Sequence, residues 1–347
     1  MSDVTIRIAS RAGRITLTRP QALNALSYDM CMAVDAALIA WADDPQVAIV
    51  VIDAEGEKAF CAGGDIASLY HSGKAQDYEF GRKFWRDEYR MNARLADYPK
   101  PVVSLMQGFT MGGGVGIGCH GGLRIVGDTS RMAMPECGIG LVPDVGGTAL
   151  LANAPGRLGA YLALTAARMG PGDAIHAGFA DRYLPEAAWP DLVALLEDTG
   201  DPSVIPQETP PASEMADQAD DIDRLFAAPD LPTIAATLAA EDGPLAESAL
   251  KAVRRNSPIA MAATLGILDR LGPNPSVREA LVQEYRYTWR AMQDADFLEG
   301  VRAQIIDKDR NPSWADKLTT LDPTRVEAIL APLGASELTF DDKEDTP

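Results

Sequence analysis

The chain is poor in cysteine and histidine, with four and three in 347 residues, and its basic side chains are outnumbered by acidic ones, 31 to 50. Each shortage excludes something. Cys31, Cys61, Cys119 and Cys137 make no CxxC pair and no disulfide-like framework, which predicts free thiols in a reducing compartment. His71, His120 and His176 are scattered and match no metal-ligand spacing. The neighbours Cys119 and His120 point apart on any regular element, so they are not expected to act as a nucleophile and base. A net charge of −19 leaves no basic footprint for nucleic acid or an anionic membrane. No apolar run reaches the 18 or so residues of a membrane span, and the opening MSDVTIRIASRAGRITLTRP lacks the apolar stretch of a signal peptide. The expected location is the cytoplasm.

What is present is an ordinary globular balance, 47% hydrophobic and 23% charged, ample for a large core. Val4 to Ile8 and Arg14 to Thr18 alternate apolar and polar residues with Gly13 between them, a predicted hairpin. Ser27 is placed to cap a helix from Tyr28 to about Ala42. Ala48–Ile52, Val102–Met106 and Leu123–Val126 read as buried strands, and Phe80–Ala96 as a helix. Strands separated by helix-length segments predict a layered α/β domain with parallel strands. From about residue 198 to 221, prolines sit among acidic and hydroxyl residues, a predicted loop or linker. Beyond it Pro258–Arg270, Val277–Met292 and Phe297–Ile306 have helical spacing. The expected division is a core over 1–197, an acidic Pro-rich loop over 198–221 and a helical region over 222–347.

The chemistry concentrates in three places. MPECGIGLVPDVGG, Met134 to Gly147, carries Glu136 and Asp144 among apolar residues and glycine. Such carboxyls are desolvated, so their pKa values rise and they can exchange protons near neutrality. Asp144 also suits the N-cap of a helix through Thr148 to Leu151, and Glu136 a turn position. Gly63-Gly64 and Gly112-Gly113-Gly114 each follow a predicted strand and allow close approach to bare backbone. If Gly113 opens a helix, its N–H is an unpaired donor at a helix start, and a second such donor would complete an oxyanion hole. Gly114, Gly116 and Gly118 equally fit close helix packing. GGGVG lacks the Lys-Ser/Thr of a phosphate-binding loop.

RPQALNAL (19–26), KAFCAGGDI (58–66), GFTMGGGVG (108–116) and MPECGIGLVPDVGG resemble, in order and spacing, the crotonase or enoyl-CoA hydratase/isomerase superfamily. EYRYTWRAMQDADFLEGVRAQIIDKDRNPSW (284–314) is similar to its 3-hydroxyisobutyryl-CoA hydrolase branch. The resemblance covers about Val4 to Phe340. It implies an α/β fold, a crotonase-like spiral of ββα units followed by a helical C-terminal region that completes an acyl-CoA site. It implies that the Gly64 and Gly113 N–H groups hold the thioester oxygen and that Glu136 and Asp144 are the catalytic acids. Glu88 matches a substrate contact. The backbone at Ala22, Leu26, Ala62, Asp65 and Ile66 would meet coenzyme A, which is part of the substrate. No metal or redox cofactor is implied, and a homo-oligomer is left open. Hydratases of the superfamily carry a second glutamate three residues after the oxyanion-hole glycine; here that residue is Gly116. The expected activity is hydrolysis of a short 3-hydroxyacyl-CoA, 3-hydroxyisobutyryl-CoA of valine breakdown. The alternatives are an enoyl-CoA hydratase or isomerase and a non-catalytic acyl-CoA-binding protein.

Overall fold

The computed structural model describes residues 3–340, so the last seven residues of the expected C-terminal region lie outside it. The chain opens with β1 (Val4–Ala9) and β2 (Ala12–Leu17), paired antiparallel. The reversal is made at Ser10, which takes φ 49°. Gly13, expected between the strands, instead lies inside β2. A Cβ there would stand 2.5 Å from the Trp41 ring, so glycine serves packing rather than the turn. Ser27 accepts from the Met30 N–H and caps α1 (Tyr28–Ala42), as its spacing predicts.

Three ββα turns follow. The first is β3 (Ile49–Ala54), β4 (Ala59–Cys61), α2 (Ile66–Lys74) and α3 (Tyr78–Ala96). The second is β5 (Val102–Met106), β6 (Phe109–Met111) and α4 (Gly113–Gly118). The third is β7 (Leu123–Val126), β8 (Arg131–Ala133), a 3₁₀ turn at Glu136–Ile139, then α5 (Gly147–Asn153), α6 (Leu158–Thr165) and α7 (Pro171–His176). Strand β9 (Arg182–Tyr183) and helix α8 (Trp189–Thr199) complete the spiral. The first strand of each turn joins a six-stranded sheet, β1-β2-β3-β5-β7-β9, and the second joins a three-stranded one, β4-β6-β8. Each strand-to-strand pairing after the hairpin is parallel, and two isolated bridges, Ala59 to Gly108 and Met132 to Met169, are antiparallel.

The apolar run of β3 is continuous because both its faces are covered. Val50 and Ile52 face the main core, whereas Ile49 and Val51 face a smaller cluster with Trp189, Leu192 and Leu196 of α8. The stretch read as a linker is anchored at both ends: Ile205 is buried in that cluster, and Asp173 accepts from Ser213 Oγ and the Met215 N–H. The longest continuously exposed run within it is 206–212.

The remainder is helical: α9 (Glu214–Asp217), α10 (Ala219–Leu225), α11 (Leu231–Ala240), α12 (Pro244–Arg255), α13 (Pro258–Leu271), α14 (Val277–Asp294), α15 (Phe297–Val301) and α16 (Pro323–Ile329). The helix expected over 297–306 changes after Val301 into a π-helical turn, Arg302–Ile306. A capping box at Ser276 and Glu279 starts α14, which packs against α3 and α5 and so brings the C-terminal region onto the spiral beside its glycine turns.

Candidate active site

Strands β4, β6 and β8 run parallel and end on one side of the small sheet, so the segments that follow them gather there. After β4 comes Gly63, at φ +123°, a conformation that glycine adopts freely. The Leu26 N–H donates to Gly63 O and the Asp65 N–H to Leu26 O, which leaves the Gly64 N–H outside this pairing. After β6 comes Gly112, at φ 50° and ψ −119°, and then α4. Gly113 is the first residue of that helix, so its N–H has no intrahelical partner. A Cβ on Gly113 would stand 3.1 Å from Gly64 N, which places the two free N–H groups side by side. After β8 comes the 3₁₀ turn that begins at Glu136. Its Oε1 lies 2.6 Å from where a Cβ on Gly112 would be, so this glycine makes room for the carboxyl.

Four carboxyls surround this point, and among the described residues none of them faces a cation at salt-bridge distance. Glu136 and Asp144 are each 5% exposed, and Glu136 Oε2 has no hydrogen-bond partner. Burial, and then the charge of Asp144, drive the Glu136 pKa well above the carboxylate range. Burial lifts Asp144 to about 7, opposed by a hydrogen bond from the Tyr89 hydroxyl at 2.9 Å. Two buried carboxyls that feel each other's charge titrate as a pair, so their protons leave in steps that belong to both. Glu88, on α3, is pushed up to about 8 by burial and the Asp144 charge. Its Oε1 is unpartnered and lies 3.2 Å from the Gly113 Cβ position.

The fourth carboxyl is Glu284 of α14, which sequence reasoning did not single out. Its Oε2 accepts from the Gly146 N–H at 2.8 Å and its Oε1 from the Thr148 N–H at 2.9 Å, so it caps α5 from another helix. Burial raises its pKa to about 8 against the pull of these donors. Asp144 is therefore not the N-cap of α5: the cap position is Gly146, and the Asp144 side chain is left to Tyr89. The signal was a glutamate on the apolar stripe of α14, between Leu281 and Thr288, both fully buried.

Val145 holds φ 54°, an unusual conformation for a β-branched residue, and its carbonyl oxygen lies 2.7 Å from His120 Nε2. Burial lowers the His120 pKa to about 4, so the ring is a neutral buttress. The Cys61, Cys119 and Cys137 thiols are each pushed up to about 12 by burial and supply no thiolate. The glycines of α4 pack closely: a Cβ on Gly114 would stand 2.1 Å from Cys61 O, and one on Gly116 2.8 Å from Val145 Cβ. Packing and a free N–H thus coexist in one helix.

Ala22 ends a 3₁₀ turn, Pro20–Ala22, tied down by Asn24, whose amide donates to Glu55 O and Ala59 O. The Ala62 N–H donates to Leu23 O, and Arg19 pairs with Asp65 at 3.1 Å. Ala22, Leu26, Ala62, Asp65 and Ile66 therefore lie along one seam that ends at Gly64. Residues 62–66 are half-buried where the acids are shut away, which makes this seam the mouth of the site. A groove of about 590 Å³ opens beside Glu136, lined by Met111, Pro135, Ile139, Arg168, Lys251 and Arg255, a local positive patch on an acidic chain. A larger groove of about 740 Å³, lined by Leu151, Leu231 and Leu265, lacks the glycine turns and the acids. Among the described residues, no group of three or more His, Cys, Asp and Glu side chains is placed to hold a metal ion.

A ββα spiral with two backbone N–H groups beside buried carboxyls is an arrangement able to steady an oxyanion and exchange a proton. The chain belongs to the enoyl-CoA hydratase/isomerase family, whose profile matches residues 12–330. It is 38% identical, over 95% of its length and 89% of the relative's, to a protein of Xenopus tropicalis named 3-hydroxyisobutyryl-CoA hydrolase, mitochondrial. Among solved structures it is similar to an enoyl-CoA hydratase from Rhodobacter sphaeroides 2.4.1, with TM-score 0.95 and 61% identity over 98% of this chain and 100% of that one. It is also similar to a carnitinyl-CoA dehydratase from Mycobacterium thermoresistibile, with TM-score 0.93 and 41% identity over 99% and 100%. The α/β spiral with its helical C-terminal region is borne out by the fold and by these neighbours. No described helix is long and apolar enough to cross a membrane. The relative's name places that protein in mitochondria, which does not match the plain cytoplasmic expectation.

Proposed function

We propose that the protein hydrolyses the thioester of a short 3-hydroxyacyl-CoA, 3-hydroxyisobutyryl-CoA, to 3-hydroxyisobutyrate and coenzyme A, as a step of valine degradation. The relatives' shared name supports the substrate. The observation that carries the reaction type is Gly116. Hydration of a double bond needs an acid and a base on one face of the substrate. At this position there is no carboxylate, and Val145 and Asn92 fill the space where one would begin. The two similar structures described as hydratase and dehydratase do not change that chemistry at Gly116.

In this reading the thioester oxygen is held by the N–H groups of Gly64 and Gly113. Loss of one such donor in other enzymes costs roughly 3–4 kcal/mol of barrier, so the pair is a large contribution. The position of the proton on the Glu136–Asp144 pair decides the roles. Burial favours the proton on Glu136 in the free protein. The reactive form is the one with the proton on Asp144, in which Glu136 is a carboxylate facing the carbonyl carbon and Asp144 is an acid for the leaving group. Glu136 attacks, the C–S bond breaks, and Asp144 protonates the departing thiolate. Water then opens the acyl-glutamyl anhydride, returns a proton to Asp144, and frees the acid. In the other route Glu136 takes the proton of a water that attacks the carbonyl directly. Glu88 binds the 3-hydroxyl. The seam from Ala22 to Leu26 and Ala62 to Ile66 takes the carrier, and no metal or redox cofactor enters either route. The four buried free cysteines support a reducing compartment, the cytoplasm in our reading.

The deciding experiment is thiol release from a panel of acyl-CoA thioesters, read beside hydration of crotonyl-CoA. Thiol release from 3-hydroxyisobutyryl-CoA without appreciable hydration is expected. Efficient hydration without thiol release overturns the assignment.

A further inference from the structure

Asn92 is fully buried, yet neither its amide nitrogen nor its amide oxygen has a hydrogen-bond partner. Leaving a buried amide unsatisfied is costly, and a folded chain tolerates it where a partner is to arrive. The residue sits on α3 one turn beyond Glu88, so the two side chains share a face, ~6 Å apart along the axis. That face packs on the glycines of α4. Glu88 Oε1 lies 3.2 Å from the Gly113 Cβ position, and Asn92 Nδ2 lies 2.9 Å from the Gly116 Cβ position. Glu88 Oε1 is likewise without a partner. Two unpartnered polar groups therefore stand in a row, one beside the N–H proposed to hold the thioester oxygen and the next a helical turn further in. Besides Asn92, the nearest neighbour of the Gly116 Cβ position is apolar, the Val145 side chain.

We propose that Asn92, together with Glu88, forms a polar cradle for the hydroxyl of the acyl chain, and that it sets the preference for a 3-hydroxyacyl over an unsubstituted acyl thioester. The inference rests on the hydrolase reading above and extends it to a residue with no part in bond breaking. A hydroxyl both donates and accepts, and the Asn92 amide offers one donor group and one acceptor, both free. With the carbonyl oxygen at Gly64 and Gly113, the third carbon of a short acyl chain lies only two bonds beyond the carbonyl carbon, within the stretch that Glu88 and Asn92 span. An acyl group lacking the hydroxyl leaves both polar groups unpaired and is rejected for that reason.

The test measures kcat/KM for thiol release from 3-hydroxyisobutyryl-CoA and from isobutyryl-CoA in the wild type, Asn92→Leu and Asn92→Ala. The wild type is expected to favour the hydroxylated thioester, and both variants to lower that ratio roughly tenfold or more, with the loss falling on the hydroxylated substrate. Asn92→Leu removes two unsatisfied polar atoms, so its thermal midpoint should not fall; if it fails to fold, Asn92→Ala reads the ratio. An unchanged ratio in both variants overturns the proposal. So does a proportional loss on both substrates, which would place Asn92 in packing or in the reaction itself. Wild-type protein that releases thiol from neither substrate would instead sink the hydrolase reading, a different failure from turnover with an unchanged ratio.

Discussion

The Tyr89 hydroxyl donates to Asp144 Oδ2 across 2.9 Å, and this bond ties the long helix α3 to the loop that carries the second acid. Tyr89 is fully buried, so the bond works without competition from water. It favours the ionised form of Asp144, opposing the burial that lifts its pKa to about 7. Tyr89→Phe should release that restraint. Asp144 would hold its proton to higher pH and lose its fixed orientation. The expected result is a fall in kcat of about tenfold, an alkaline shift in the pH–rate profile, and a stability loss of about 1 kcal/mol. A variant with an unmoved pH profile would leave the tyrosine a packing role only.

Glu136→Gln should abolish turnover and spare binding of acyl-CoA, because the amide keeps the shape but cannot attack or take a proton. Single-turnover hydrolysis in heavy-oxygen water then separates the two routes in the wild type. Label in the Glu136 carboxyl marks the anhydride, and label only in the product acid marks direct attack by water. Asp144→Asn should lower kcat by about 10²–10⁴-fold. Its effect on folding should be small, since Glu284 and not Asp144 caps α5. The charge of Asp144 is one cause of the raised Glu136 pKa, so its removal lets that pKa fall. The acid limb of the residual activity should therefore move to lower pH.

Glu88 bears on stability. Its carboxyl is pushed from the ordinary 4.5 up to about 8. A group whose folded pKa is raised contributes stability that is fully present below its unfolded pKa and is lost as pH rises through the folded value. The cost of keeping Glu88 protonated, or of burying its charge, therefore grows between about pH 4.5 and 8. Glu88→Gln is neutral throughout, so it should gain stability relative to the wild type as pH rises across that window. Thermal midpoints at pH 5 and pH 8 provide the check. A difference between variant and wild type that is the same at both values would mean that the carboxyl is not held protonated. The same variant should weaken discrimination for the 3-hydroxyl.

Much of this was legible from residue order, for identifiable reasons. The β-branched run at Val50 to Ile52 and the Ser27 cap report local physics, and both elements form where the pattern puts them. The partition of strands between two sheets is not local. Strands β4, β6 and β8 are each three residues long, too short to show periodicity, and the family resemblance supplied only the ββα repeat. Glu284, Tyr89 and Asn92 were missed because an isolated helix pattern does not say which polar residue on an apolar stripe will find a partner. Gly13 misled because a glycine between two strand patterns reads as a turn, whereas here it answers to Trp41.

Gly116 supplies the sharpest test of the reaction type. If the missing carboxylate separates this chain from the hydratases, the wild type should hydrate crotonyl-CoA very poorly while cleaving 3-hydroxyacyl thioesters. Gly116→Glu would add the absent acid, but the first atom of its side chain would meet neighbours already in place. The new Cβ would stand 2.8 Å from Val145 Cβ and 2.9 Å from Asn92 Nδ2. Overpacking of this kind commonly costs ~1–3 kcal/mol. Val145 has little freedom to retreat, since its backbone is at φ 54° and its carbonyl is held by His120. The added carboxyl would join Glu88, Glu136 and Asp144, which among the described residues have no cation at salt-bridge distance, so the pKa values of the group should rise further and fewer of its members would be ionised near neutrality. The variant should thus lose thiol release and gain at best a trace of hydration. Its thermal midpoint should fall as well, read in the same preparation. Efficient hydration of crotonyl-CoA by the wild type would show instead that Asp144 serves a hydratase from its own loop. The carboxylate at position 116 would then not be what divides the two chemistries.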